Sequence, residues 1–122
     1  MAKDADKIQI ALSDTPFRSA LCRMLASSAS CDVICVDSPD LNSGGVLVVD
    51  TDHLGRLPHP LDQPERVVLV THDEPGLMSK HLAEAWEAGV HSVVYDRDPI
   101  STVVLAILAA RLRAAKAKPS EA

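Results

Sequence analysis

Three runs in this chain stop on a polar residue of the kind found at the mouth of a parallel sheet. Residues 8–12 lead into Ser13 and Asp14, residues 46–49 into Asp50, and residues 67–70 into Thr71. The run Val46, Leu47, Val48, Val49 is apolar at every position, as expected of a strand covered on both faces. Open α/β sheets place their chemistry just outside the carboxyl ends of the strands. Asp14, Asp50 and Thr71 are therefore expected to meet in one cleft.

The remaining chain supplies what such a sheet needs. Residues 7–13, 31–36, 46–50, 66–71 and 91–95 read as five strands. Thr15 and Pro16 open a helix in which Phe17, Ala20, Leu21, Met24 and Leu25 recur at three and four. Residues 75–89 form a second helix, with Leu77, Met78, His81, Leu82, Ala85 and Trp86 along one side and Gly89 as its stop. Asp98 and Pro99 cap a last helix that runs to about Lys116. Residues 37–45 read as a loop. Residues 51–65 contain Pro58, Pro60 and Pro64, and Pro58 and Pro60 exclude a regular helix through the middle. The second and third crossovers are thus expected to be reduced to loops. The expected organisation is a frayed N-terminus over 1–6, one domain over 7–116 and a tail over 117–122.

Composition bounds the function. A chain of 122 residues, 47% hydrophobic, is one domain with a full core. Only 2% is aromatic, so Val, Leu, Ile and Ala fill the interior. Residues 1–110 hold 8 basic and 16 acidic side chains, which makes the body of the chain acidic. That balance opposes nucleic-acid binding, which depends on phosphate neutralisation. The basic residues Arg111, Arg113, Lys116 and Lys118 suit a helix C-terminus. No run approaches the ~20 apolar residues of a membrane span, and no secretory leader precedes the first strand.

Cys31 and Cys35 share a strand face at a spacing of roughly 13 Å, too far to pair. Cys22 lies in the first helix. Three buried thiols fit a reducing, cytoplasmic setting. The best histidine–carboxylate cluster is Asp50, Asp52, His53 and His59, but no zinc spacing such as HExxH or CxxC occurs, and solvated loop histidines are expected. The five glycines form no GxGxxG.

The residues resemble a response-regulator receiver, the CheY-like domain. "VVLVTHDEP", "AWEAGVHSVVYDRDP" and "TVVLAILAARLRA" are similar to a receiver's fourth strand, fourth helix, fifth strand and fifth helix. "IQIALSDTP" resembles its first strand and acidic pair, and "VLVVDTD" its third strand with the acceptor aspartate. The resemblance covers residues 7 to about 114. It implies a flavodoxin-like sheet of order 2-1-3-4-5, from which this chain departs in having its second and third crossover helices shortened or lost. It also implies that Asp50 is the phosphoacceptor, that Asp14, Asp50 and the Asp52 carbonyl hold Mg²⁺, and that Thr71 contacts the phosphoryl group.

Several positions depart from that pattern. Ser13 replaces the first acid. The lysine at the end of the fifth strand is absent, with Asp96 or Tyr95 in its place and Arg97 the nearest cation. His72 replaces the small residue after the switch hydroxyl; solvent exposure is expected there, with a bond to Asp50 or Asp14 that fills the phosphoryl site as the alternative. Val93 replaces the switch aromatic. Without the lysine, Mg²⁺ would carry nearly all the charge compensation from a weakened site.

The last helix is apolar nearly all round over 103–110, more than a sheet face requires. In receivers the fourth helix, fifth strand and fifth helix form the dimer face. Trp86, Tyr95, Val104, Leu105 and Leu108 are the corresponding partner positions here.

The expected function is an atypical receiver, a non-enzymatic signalling module that works by protein contact, as a homodimer with a degenerate phosphorylation pocket. A sensor kinase or a separate effector is a candidate partner, with no nucleic acid and no membrane. The alternatives are a competent two-component receiver phosphorylated on Asp50 with Mg²⁺, and a small flavodoxin-like metal-dependent hydrolase or ligand-binding protein.

Overall fold

The structure is a computed structural model that describes residues 7–28, 32–40, 45–57, 64–72, 80–90 and 92–117. The calls on 1–6 and 118–122, on the start of the second long helix at 75–79, and on Cys31, His59 and His91 lie outside these residues, as does the side chain of His81.

Five parallel strands form one sheet in the order β2-β1-β3-β4-β5, a flavodoxin-like α/β arrangement. They are β1 (Lys7–Ala11), β2 (Asp32–Cys35), β3 (Val46–Val49), β4 (Val67–Thr71) and β5 (Ser92–Tyr95). β1 sits centrally, with Ile10 opposite both Cys35 of β2 and Val48 of β3. The helices are α1 (Thr15–Ser28), α2 (Thr51–Arg56), α3 (Lys80–Glu87) and α4 (Ile100–Ala117), with a 3₁₀ turn at Pro64–Arg66.

Strand alternation divides the core into two layers. Ile8, Ile10, Val46, Val48, Val68 and Val70 face α1 and α4, joined by Leu21, Leu25, Val103 and Ile107. Ala11, Leu47, Val49, Val67 and Leu69 face the other way, joined by Leu54 of α2 and Ala85 of α3. The excess apolarity of α4 is largely absorbed within the molecule. This helix packs on the sheet, on α1 and on the 3₁₀ turn at once. Among the described residues, no helix is long and apolar enough to cross a membrane.

The helix after β3 is shortened, as expected: six residues of α2 fit between Asp50 and Leu57, ahead of Pro58. Two local readings change. Asp98 was expected to cap the last helix. Its side chain instead accepts from Tyr95 N–H at 3.0 Å, and the Pro99 carbonyl receives the first helical N–H groups. The thiols were expected to be buried, but Cys35 is exposed on edge strand β2 and Cys22 is only partly covered.

The crossover from β2 to β3 shows no helix among its described residues. The sheet face beneath still has to be covered, and the chain there must satisfy its own peptide groups. Gln9 does this from inside β1, where it is 1% exposed. Its side-chain amide donates to the Asp40 carbonyl at 3.0 Å, and its carbonyl oxygen accepts from Asp40 N–H at 2.7 Å. Ile34, on the same face of neighbouring β2, is left 41% exposed. Gln9→Leu keeps the volume and loses both bonds. Because Asp40 is exposed and water replaces part of the loss, the expected cost is about 1–2 kcal/mol in urea unfolding.

Candidate functional site

The carboxyl ends of β1, β3 and β4 open into one cleft of about 110 Å³. Ser13, Asp14, Asp50, Asp52, Thr71, His72 and Asp96 all line it, so the structure brings together every cleft residue read from the sequence. Sheet register causes this convergence. Ala11, Val49 and Leu69 lie at one level, and β4 runs two residues further, which sets Thr71 beside the turns that follow β1 and β3.

Asp50 is held from three directions. Its Oδ1 accepts from His53 N–H at 2.9 Å and lies 2.7 Å from His53 Nδ1. Its Oδ2 accepts from Ser13 N–H at 2.9 Å. An ionised carboxylate only accepts, so Nδ1 carries the proton in this contact. The backbone bond from His53 makes Asp50 the N-cap of α2, the position where an aspartate satisfies an orphan helix donor. Burial is the largest single influence on this carboxyl and opposes its charge. The His53 and Ser13 N–H groups and the His53 ring together outweigh burial, and the carboxyl is held below its ordinary titration range.

Asp14 plays the same part at α1, accepting Phe17 N–H on Oδ1 at 3.2 Å while its carbonyl accepts from Arg18 N–H. Thr71 is 3% exposed and its carbonyl accepts from Asp96 N–H at 2.9 Å, which ties β4 to the end of β5. Asp52 is exposed in the first turn of α2, where an acid suits the helix dipole.

His72 stands at the cleft mouth, exposed as expected. Its ring does not reach back to Asp50 or Asp14. It pairs with Asp96 through Nδ1, and its side chain stays 78% exposed at the cleft mouth. Arg97 Nη2 donates to the His72 carbonyl at 3.2 Å and does not line the cleft. The histidine that meets Asp50 is His53, expected to be a solvated loop residue and found 8% exposed. Its signal was present in the sequence, since a cap residue and the residue three places on face each other across the first turn.

Among the described residues, the cleft lining therefore holds four aspartates and neither lysine nor arginine. Among the described residues, no group of three or more His, Cys, Asp or Glu side chains is placed to hold a metal ion. The donors fit Mg²⁺ poorly, because both oxygens of Asp50 and one of Asp14 already accept backbone N–H groups.

The partner positions separate into two groups. Trp86 is 62% exposed and Leu105 67% exposed, and Leu112, seven residues after Leu105 on α4, is 65% exposed. Val104 is buried and Leu108 packs against the core, because the α4 side that carries them faces the sheet and α1. They do not present a docking face. Tyr95 is partly buried at the end of β5.

No family model matches the chain, and no curated protein matches it. Among solved structures, the fold is similar to that of a Burkholderia pseudomallei protein described as a "putative pilus assembly-related protein". The TM-score is 0.62 at 20% identity, with 91% of this chain and 92% of that chain covered. At that identity the likeness concerns the fold.

Proposed function

We propose that this chain is an atypical receiver that signals or assembles by protein contact and does not carry a phosphoryl group. One observation supports this reading above the others: the candidate acceptor Asp50 has both oxygens committed to N–H donors of Ser13 and His53. A phosphoryl group on either oxygen would displace a cap or a strand-end bond. It would also enter a cleft whose described lining holds three further aspartates and no lysine or arginine. At about 4 Å, like charges repel by several kcal/mol in a partly buried setting. In this reading the protein is not an enzyme, its setting is cytoplasmic, and Mg²⁺ has no part in its action.

The partner is a second copy or a separate effector, and the contact uses Trp86 of α3 together with Leu105 and Leu112 of α4. The similar Burkholderia protein, described in terms of pilus assembly, supports a role in assembly over small-molecule chemistry.

Intact mass after incubation with Mg²⁺ and acetyl phosphate tests the proposal, alongside sedimentation of the wild type and of Leu105→Glu/Leu112→Glu. The expected result is an unchanged mass and a dimer that the double substitution dissociates. A phosphoryl adduct lost in Asp50→Asn would establish a competent receiver instead. Turnover of a phosphate ester would establish a hydrolase.

A further inference from the structure

Cys22 and Cys35 are far apart in the chain but lie on elements that pack together, α1 and β2, and neither lines the cleft. Strand parity puts Cys35 on the α1 side of the sheet. It stands opposite Ile10, whose side chain faces α1, and two residues from Val33, which packs into the same layer. Cys22 packs against that same layer from α1, the helix that lies on β2. Cys35 is also exposed, because β2 is the sheet edge.

We propose that Cys22 and Cys35 form a reversible disulfide that locks α1 onto β2 when a hydroperoxide is present. The two thiols have unequal parts. Burial first, then the hydrogen bond and charge of Cys35, push the Cys22 thiol up to about 12, against a smaller opposing pull from Arg18. Cys22 therefore keeps its proton at neutral pH, and exposed Cys35 meets the oxidant.

The Cys35 sulfur attacks the peroxide, the O–O bond breaks, and a sulfenic acid and one water form. The Cys22 sulfur then attacks the Cys35 sulfur and the S–O bond breaks. The departing hydroxide takes the Cys22 proton as a second water. Two thiols and one hydrogen peroxide thus give one disulfide and two waters. A thiol reductant reverses the bond by exchange.

Hydrogen peroxide treatment of the full chain, followed by alkylation and non-reducing peptide mapping, tests this. The expected result is a monomer lighter by two hydrogen atoms, with the Cys22 and Cys35 peptides joined. The link is cleaved by dithiothreitol, kept in Cys31→Ser and lost in Cys35→Ser. The oxidised wild type should also melt at a higher temperature than the reduced protein, as a cross-link restricts the unfolded chain. An unchanged mass, a link through Cys31, an intermolecular cross-link or terminal oxidation of Cys35 alone would each overturn the proposal.

Discussion

Asp50→Ala destabilises the protein by about 2–3 kcal/mol, measured by urea unfolding. The substitution removes the cap of α2 and leaves three donors without their acceptor: the N–H groups of Ser13 and His53 and the ring of His53. His53 is buried, so water replaces little of its loss. Asp50→Asn should cost less, because one amide oxygen still accepts on the α2 side while the other end loses the Ser13 bond. The sign carries the information. In a pocket built to concentrate negative charge, removing one carboxylate relieves repulsion and is neutral or stabilising. Here Asp50 is a structural fastener between β1, β3 and α2, and its removal weakens the fold.

The same geometry fixes a pH dependence. The Asp50 carboxyl is held below its ordinary value in the folded protein, and the unfolded chain titrates near 3.9, about the value of a free aspartate. Its contribution is therefore complete well above that pH. It is lost as pH falls through the lowered folded value, because the unfolded state binds the proton more readily. The stability gap between wild type and Asp50→Ala should stay constant at neutral pH and narrow only in acid.

Gly89→Ala has an effect of about 3 kcal/mol, and the melting temperature falls by about 10 °C. Gly89 ends α3 with φ of +92°, a conformation that L side chains rarely adopt. Its turn closes the helix through bonds from Gly89 N–H to the Trp86 carbonyl and from Val90 N–H to the Ala85 carbonyl. An added Cβ would stand 2.8 Å from Cγ and 3.1 Å from Cβ of Pro64. These belong to a closed ring at the start of the 3₁₀ turn that feeds β4, so the clash is not relieved by swinging a flexible chain end. Gly55 supplies the contrast. It lies inside α2 with nothing within 4 Å of an added Cβ. Gly55→Ala should raise stability by about 0.5–1 kcal/mol. Thermal unfolding of the two variants beside the wild type reads both signs.

The sheet could be read from the chain because its signals are local. Val46–Val49 and Val67–Thr71 are uninterrupted apolar strands that can lie only between two covered faces. Gly89 marks a helix end through a backbone angle that few residues tolerate. The convergence of Ser13, Asp14, Asp50 and Thr71 follows from strand ends in a parallel sheet.

What escaped was set by tertiary partners. The exact place of α2 went unread, although Asp50, Asp52 and Arg56 had the charge order of a short capped helix. Gln9 stood out as an amide in an apolar strand, but its bonds to Asp40 depend on a loop crossing the sheet. Leu108 and Leu105 look alike in a helix apolar nearly all round. Only packing on the sheet, α1 and the 3₁₀ turn half-buries Leu108 and leaves Leu105 exposed.

Carbon-detected NMR titration of the Asp50 carboxyl in the folded protein is the most direct test of its committed oxygens. A midpoint clearly below that of an ordinary aspartate, with Ser13 and His53 amide resonances following the same curve, is the predicted result. A midpoint at or above the ordinary value would contradict it, since burial alone would then govern the group and its oxygens would be open to a ligand.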